Sequence, residues 1–202
     1  MTFHDTLKDS IAAEHDATEK VFQPSLFSEA FSAEDYKRYL LSNYLFFKAH
    51  EMRVAEVELP STVHHLLHPS RADMLREDLH DLSIKGPLPD PPLRELSHQG
   101  SQHTAEASAL GHVYVLAGSA MGARMISKHL LEKPFMTQGV ADRFLQSYDR
   151  FDGRSWNAFK ETLNQIDAPD RQQATIQAAR TSFALFAQCY RQATHFLDHQ
   201  NA

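Results

Sequence analysis

Three glycines interrupt an otherwise apolar helical segment near the middle of the chain. Residues 109–123 read ALGHVYVLAGSAMGA and include Gly111, Gly118 and Gly122. A glycine inside a helix costs about 1 kcal/mol relative to alanine, and Gly118 and Gly122, four residues apart, share one helical face. This spacing indicates that something approaches the backbone closely there. It is either a second helix packed through small residues or a flat ligand lying against bare backbone.

A second segment, residues 7–21 (LKDSIAAEHDATEKV), contains a histidine on its apolar side. Leu7, Ile11, Thr18 and Phe22 follow the spacing of an amphipathic helix, and His15 falls on the same stripe rather than on the wet face. Such a histidine is either a core residue with satisfied hydrogen bonds or a metal ligand. Combined with a glycine-faced helix elsewhere, it becomes a candidate axial ligand for haem iron, which neutral imidazole binds well.

These two segments give the sequence a family resemblance. The N-terminal pattern LKxSxAxxHxxxE, followed about a hundred residues later by ALGxxYVLxGSxxGA, resembles the biliverdin-forming haem oxygenases of bacteria. The resemblance continues through REDLHDL at 76–82, RFLQSYDR at 143–150 and SWNAF at 155–159, and into a C-terminal helix. It therefore covers nearly the whole chain in the order and spacing of the family.

The resemblance implies an iron site with two faces. On one face His15 binds iron, and Glu19, one helical turn away, accepts a hydrogen bond from the other ring nitrogen. On the opposite face Gly118, Ser119 and Gly122 form the catalytic stretch, where bare backbone leaves room for ordered water. Many family members carry an aspartate directly after the first glycine. Ser119 stands there in this chain, so the proton route is less defined.

The resemblance also implies residues that contact the rest of the haem. Lys8 and Lys128 match lysines that contact the propionates, with plain surface lysines as the alternative. Phe183 and Phe186 match aromatic residues that wall the pocket, with ordinary core packing as the alternative. In the segment after Trp156, which we interpret as a core residue, only Lys160 could add a cation. Which meso carbon is cleaved is therefore left open.

Composition limits the class of protein. The chain has 202 residues, a formal net charge of −6 and one cysteine. This length fits a single domain over residues 1–202, and the charge favours neither nucleic acid nor an anionic membrane as a partner. A lone cysteine excludes an internal disulfide and covalent haem attachment through Cys-x-x-Cys-His. The N-terminus lacks an apolar signal segment, so we expect a cytoplasmic protein.

Thirteen histidines are many for this length. His64, His65 and His68 cluster before a proline, and His195 and His199 form an i, i+4 pair that could hold zinc. Neither group carries an HExxH signature. We interpret all five as surface residues.

Helical periodicity runs through the whole chain, and no useful β-alternation or internal repeat appears. We predict an all-α, bundle-like domain of about seven or eight helices. The helices are expected at 6–21, stopping before Pro24; from the Ser32 cap to before Pro60; after the Ser70 cap to about 82; at 101–133; at 137–151; around 156–166; and from 167–170 to near the C-terminus. The proline-rich segment 85–92 is a connecting loop.

Three functions remain open at this point. The first is a haem oxygenase that converts haem b to biliverdin, carbon monoxide and ferrous iron with O2. Its electrons would come from a separate reductase or ferredoxin, because the chain has no nucleotide-binding GxGxxG, and the donor would dock on a basic patch near the haem edge. The second is a non-catalytic haem-sequestering protein of the same fold. The third is a dinuclear-metal or cysteine enzyme of the wider helical superfamily. Cys189 lacks a recognisable partner motif and the carboxylates fall mostly on wet faces, which disfavours this third class.

Overall fold

Nine α-helices occur in the part of the chain that the structure, a computed structural model, describes: residues 1–84, 86–93, 102–150 and 153–200. They are α1 Phe3–Ser10, α2 Ala12–Leu26, α3 Ala33–Val54, α4 Ser61–Leu67, α5 Arg71–Asp81, α6 Gln102–Leu131, α7 Arg143–Ser147, α8 Gly153–Asn164 and α9 Pro169–Gln200. A short 3-10 helix, Tyr148–Arg150, follows α7. These ranges contain no strand, as the periodicity predicts, but more helices than the seven or eight expected.

Helix starts follow the capping residues seen in the sequence. The Ser32 side chain accepts a hydrogen bond from the Asp35 backbone N–H, and the Asp35 carboxylate accepts one from the Ser32 N–H, which completes a capping box at α3. At α5 the Ser70 side chain accepts a hydrogen bond from the Asp73 N–H and caps the helix. Pro169 is the first residue of α9, where its fixed φ suits the first turn. These predicted starts are confirmed.

The predicted first helix is wrong in its continuity and at its C-terminal end. It is two helices, because Ile11 (φ −112°, ψ 5°) leaves helical geometry and ends α1. The second helix then continues through Pro24 to Leu26 rather than stopping before the proline. A proline removes only one intrahelical donor, and α2 runs just two residues beyond it, so few hydrogen bonds are lost.

Three further features differ from prediction. Helix α3 ends at Val54 rather than just before Pro60. The helix expected at 137–151 begins only at Arg143, because Gly139 (φ 79°) and Ala141 (φ 53°) adopt left-handed conformations that a helix cannot include; residues 151 and 152 lie outside the described ranges. The helix α4 was not predicted. Its seven residues are too few to display a convincing helical period.

The core forms where the long helices α3, α6 and α9 pack together. At Gly111 of α6, an added Cβ would overlap the Thr175 carbonyl oxygen of α9. Here glycine allows two helices to approach, which is the first of the two alternatives raised by the glycine pattern.

A buried carboxylate joins two of the family-like motifs. Asp78 of α5 accepts hydrogen bonds from the backbone N–H groups of Arg143 (3.1 Å) and Phe144 (2.9 Å) at the start of α7. The Arg143 guanidinium also donates to Asp78 (3.0 Å) and Asp81. These hydrogen bonds join the REDLHDL motif to the RFLQSYDR motif, and we call them the clamp at α7.

Across the described ranges, none of the helices combines the length and apolar character that crossing a bilayer requires.

Candidate functional site

A cavity of about 540 Å³ lies among α2, α3, α6 and α9. Its lining contains eight of the nine candidate site residues, namely Lys8, His15, Glu19, Gly118, Ser119, Gly122, Phe183 and Phe186. Lys128 does not line it; this residue is exposed near the end of α6. The structure thus brings together residues that are more than a hundred positions apart in sequence.

The cavity face of α6 contains the second and third glycines. An added Cβ at Gly122 would meet nothing within 4 Å, and one at Gly118 would touch only the Trp156 ring at an ordinary 3.6 Å. Neither glycine is needed for helix packing, in contrast to Gly111. What they provide is bare backbone beside an open cavity.

His15 lies on the predicted stripe, and the stripe continues from the core into the cavity. Leu7 and Ile11 are buried, whereas the His15 side chain remains 53% exposed. Its ring makes an edge-to-face contact with Phe183, with the centroids 6.0 Å apart. The expectation that His15 avoids the wet face therefore needs correction: the imidazole lines the open cavity and is not part of the core.

Two carboxylates flank the imidazole. Nδ1 of His15 is 3.7 Å from Asp16 Oδ1, and Nε2 is 3.8 Å from Glu19 Oε1. Both separations are longer than a hydrogen bond, which leaves the ring nitrogens available to a ligand. Within the described residues, these three side chains are the one group whose potential metal-ligating atoms all lie within 4.8 Å of one another.

The hydroxyl of Ser119 has an internal partner. It donates a hydrogen bond to the Leu116 carbonyl oxygen of the same helix at 2.8 Å. A hydroxyl has one proton and two acceptor lone pairs. Ser119 can therefore accept a hydrogen bond from water in the cavity, but it cannot donate to that water without giving up its helix contact.

Aromatic rings form one wall of the cavity. Phe186 packs edge-to-face against Phe22 of α2 (4.7 Å between centroids) and Phe46 of α3 (5.2 Å). Tyr190, one turn further along α9, contacts Phe22 at 5.0 Å. Such a wall suits a flat, apolar ligand.

One candidate lysine lines the cavity. It is Lys8 of α1. Burial lowers the pKa of His4, also on α1, and the positive charges of Lys160 and Lys8 lower that pKa further. The five other candidate histidines, at positions 64, 65, 68, 195 and 199, are exposed, as predicted.

Sequence reasoning missed several cavity residues. Trp156, interpreted as core only, is buried but also lines the cavity. Tyr39, Ser42 and Asn43 of α3 line it too, and the last two donate to the Tyr39 carbonyl oxygen at 2.9 and 2.8 Å. The helical period placed these residues on α3, but no local signal shows which side of that helix faces the cavity.

A buried polar chain reaches the cavity at Ser182. Ser182 Oγ is 2.9 Å from His50 Nε2 and 3.0 Å from His112 Nδ1, and His50 Nδ1 is 2.8 Å from the Phe46 carbonyl oxygen. Burial lowers the pKa of His50 to about 4, so this ring is neutral at neutral pH.

The hydrogen-bond directions in this chain follow from donor counting. The Phe46 carbonyl only accepts, so His50 Nδ1 carries the proton and Nε2 accepts from the Ser182 hydroxyl. The Ala178 carbonyl, 3.0 Å from Ser182 Oγ, competes for the same hydroxyl proton.

The comparisons with known proteins agree with this geometry. Residues 1–192 match the family model for heme oxygenase. The NO- and CO-bound heme oxygenase from Neisseria meningitidis has a similar structure, with a TM-score of 0.69, 26% identity, and coverage of 96% of this chain and 92% of that chain. The heme oxygenase from Leptospira interrogans shares the fold, with a TM-score of 0.72, 18% identity, and coverage of 94% and 98%. No curated protein matches the sequence.

The fold and cavity define an all-α protein in which an imidazole and a bare helix face line one cavity. The chain belongs to the heme oxygenase family. It is accordingly an enzyme whose substrates are haem and O2.

Proposed function

We propose that this protein binds haem b in the α2–α6 cavity and cleaves it to biliverdin, carbon monoxide and ferrous iron. Electrons would come from a separate reductase or ferredoxin. The observation that carries this proposal is that His15 of α2 and the glycine pair of α6 line the same cavity. We further propose that residues 1–202 act as one domain and that the protein is cytoplasmic.

The residues present suit haem. One imidazole has nitrogens within reach of a ligand, the wall of Phe22, Phe46 and Phe186 suits a planar macrocycle, and at Gly122 an added Cβ would meet only open space. When bound, haem supplies both the redox-active iron and the macrocycle that is oxidised.

Each protein residue then has a limited task. His15 holds the iron, and Glu19 or Asp16 orients the imidazole by accepting its second N–H. Gly118 and Gly122 keep side chains away from the reacting face, and Ser119 holds water as an acceptor. Lys8 pairs with a propionate. Lys128 lies outside the cavity lining, and we assign it no haem contact in this structure.

The direct test is haem reconstitution followed by reductant-driven turnover, with the bilin isomer identified. His15→Ala should abolish turnover and change the spectrum of the bound iron. His65→Ala, an exposed histidine on α4, is the matched control and should behave as wild type. Unaltered bilin production by His15→Ala would refute the assignment.

One observation favours a second candidate, a haem carrier without turnover. The Ser119 hydroxyl donates its proton to the Leu116 carbonyl oxygen within α6. Many relatives have an aspartate at the position of Ser119. A carrier would keep its haem spectrum under reductant and oxygen, whereas an oxygenase would lose it steadily as bilin accumulates.

A further inference from the structure

The junction between α1 and α2 is held by a residue from the far end of the chain. Arg180 of α9 donates to the Ser10 carbonyl oxygen through Nη2 (2.8 Å) and Nε (3.3 Å). Its Nε also lies 3.2 Å from Glu14 Oε1. One guanidinium therefore contacts the last residue of α1 and the residue directly before His15 in α2.

The same helix also contacts the imidazole itself. Phe183 follows Arg180 by three residues, so the two side chains share one face of α9, and Phe183 makes the edge-to-face contact with His15. In this way α9 fixes the backbone of the junction at one point and the ring of His15 at another. Without the break at Ile11, the direction of α2 relative to α1 would differ, and so would the placement of His15 relative to Lys8.

We propose that Arg180 is a positioning residue for His15. It sets the angle at which α2 leaves α1, and thereby the place of the imidazole in the cavity. This inference rests on the proposed role of His15 as the iron ligand. The planar guanidinium suits the task because its donors point in fixed directions and can serve the carbonyl and the carboxylate together.

The first test uses the haem-free protein. Arg180→Ala should speed amide hydrogen exchange at residues 11–15, because the Ser10 carbonyl and the Glu14 carboxylate lose their shared partner. Arg171→Ala is the matched control: Arg171 is also on α9 and pairs with Glu106 of α6 at 2.9 Å, away from the junction. It should leave exchange at residues 11–15 unchanged. Equal exchange in the two variants would overturn the proposal.

The second test uses the haem-loaded protein. Arg180→Ala should raise the dissociation constant for haem about tenfold, as is typical when support for a metal ligand is removed, and should broaden or shift the iron–imidazole vibration. Arg180→Lys, which keeps the charge but not the fork, should recover part of the loss. Wild-type affinity and vibration in Arg180→Ala would contradict the inference.

Two additional variants separate the possible failures. If Arg180→Ala does not fold, Glu14→Gln is used instead, because it weakens the contact between Arg180 and Glu14. It should speed exchange at residues 11–15 to a smaller extent than Arg180→Ala is expected to. Wild-type exchange in Glu14→Gln would count against the proposed role of Arg180. His15→Ala tests the ligand assignment alone. If His15→Ala keeps the wild-type iron spectrum, the proposed function fails, whatever Arg180 does to hydrogen exchange.

Discussion

At the scale of single residues, two glycines of α6 have different structural roles. Gly111 is required because α9 passes against it, whereas Gly122 adjoins open space in the cavity lining. The sequence pattern raised helix packing and ligand contact as alternatives for the motif as a whole. Helix packing is correct for Gly111, and ligand contact remains the proposal for Gly122.

This difference predicts opposite effects of the same substitution. Gly111→Ala should destabilise the fold by about 1–3 kcal/mol, because the methyl group must displace α9. Gly122→Ala should be neutral or stabilising by up to about 1 kcal/mol through helix propensity, yet should reduce haem turnover by occupying the bare face. Urea unfolding and turnover assays check both. A destabilised Gly122→Ala with normal turnover would contradict this assignment.

The buried His50 predicts a dependence of stability on pH. Its pKa is about 4 in the folded protein and about 6.5 when unfolded. Between these values the unfolded chain binds the extra proton, so stability falls as pH decreases from 6.5 to 4. The loss reaches about 3 kcal/mol. Above pH 6.5 this contribution is constant.

Urea unfolding between pH 7 and 4.5 measures the effect. The double variant His50→Leu/Ser182→Ala removes the titrating ring together with its hydroxyl partner, and should show a shallower dependence on pH. An unchanged slope would show that other groups account for the acid sensitivity.

At the scale of elements, helix starts depend on local residues and helix directions on distant ones. Ser32 and Asp35 satisfy the first N–H groups of α3 within four residues. In contrast, α7 starts where Asp78 of α5 accepts two of its N–H groups. That distinction explains why the start of α3 was predictable and the start of α7 was not.

The clamp at α7 predicts a large effect of one carboxylate. Asp78→Ala should cost about 3 kcal/mol, because it leaves two backbone donors and the Arg143 guanidinium without their buried partner. Asp73→Ala is the control: its ion pair with Arg76 is exposed on both sides, and such pairs contribute about 0–1 kcal/mol. Denaturant unfolding compares the two. Similar costs for both variants would argue against the clamp.

At the scale of the whole molecule, the site exists only where helices distant in sequence meet. The cavity needs α2 for the imidazole, α6 for bare backbone, α3 for polar side chains and α9 for aromatic rings. Binding at such a junction should couple to global stability, because the ligand contacts the elements that form the core.

Haem at a hundredfold excess over its dissociation constant should therefore add about 2.7 kcal/mol to the free energy of unfolding. For a chain of this size that corresponds to a rise in Tm of roughly 5–10 °C. Thermal unfolding followed by circular dichroism, with and without haem, measures it. His15→Ala should show a smaller rise, and an equal rise would place the main binding energy elsewhere.

The sequence by itself determined what depends on neighbours within one or two helical turns. It predicted the all-α class, the caps at Ser32 and Ser70, the stripe that contains His15, and the glycine face of α6. The tertiary structure alone decided which glycine packs against α9, that Lys8 lines the cavity and Lys128 does not, and that Arg180 holds the junction beside His15. These choices depend on contacts between residues of different helices, 64 positions apart for Gly111 and Thr175 and 170 for Ser10 and Arg180. The helical period of a sequence shows which residues share a face, but not which distant surface that face contacts.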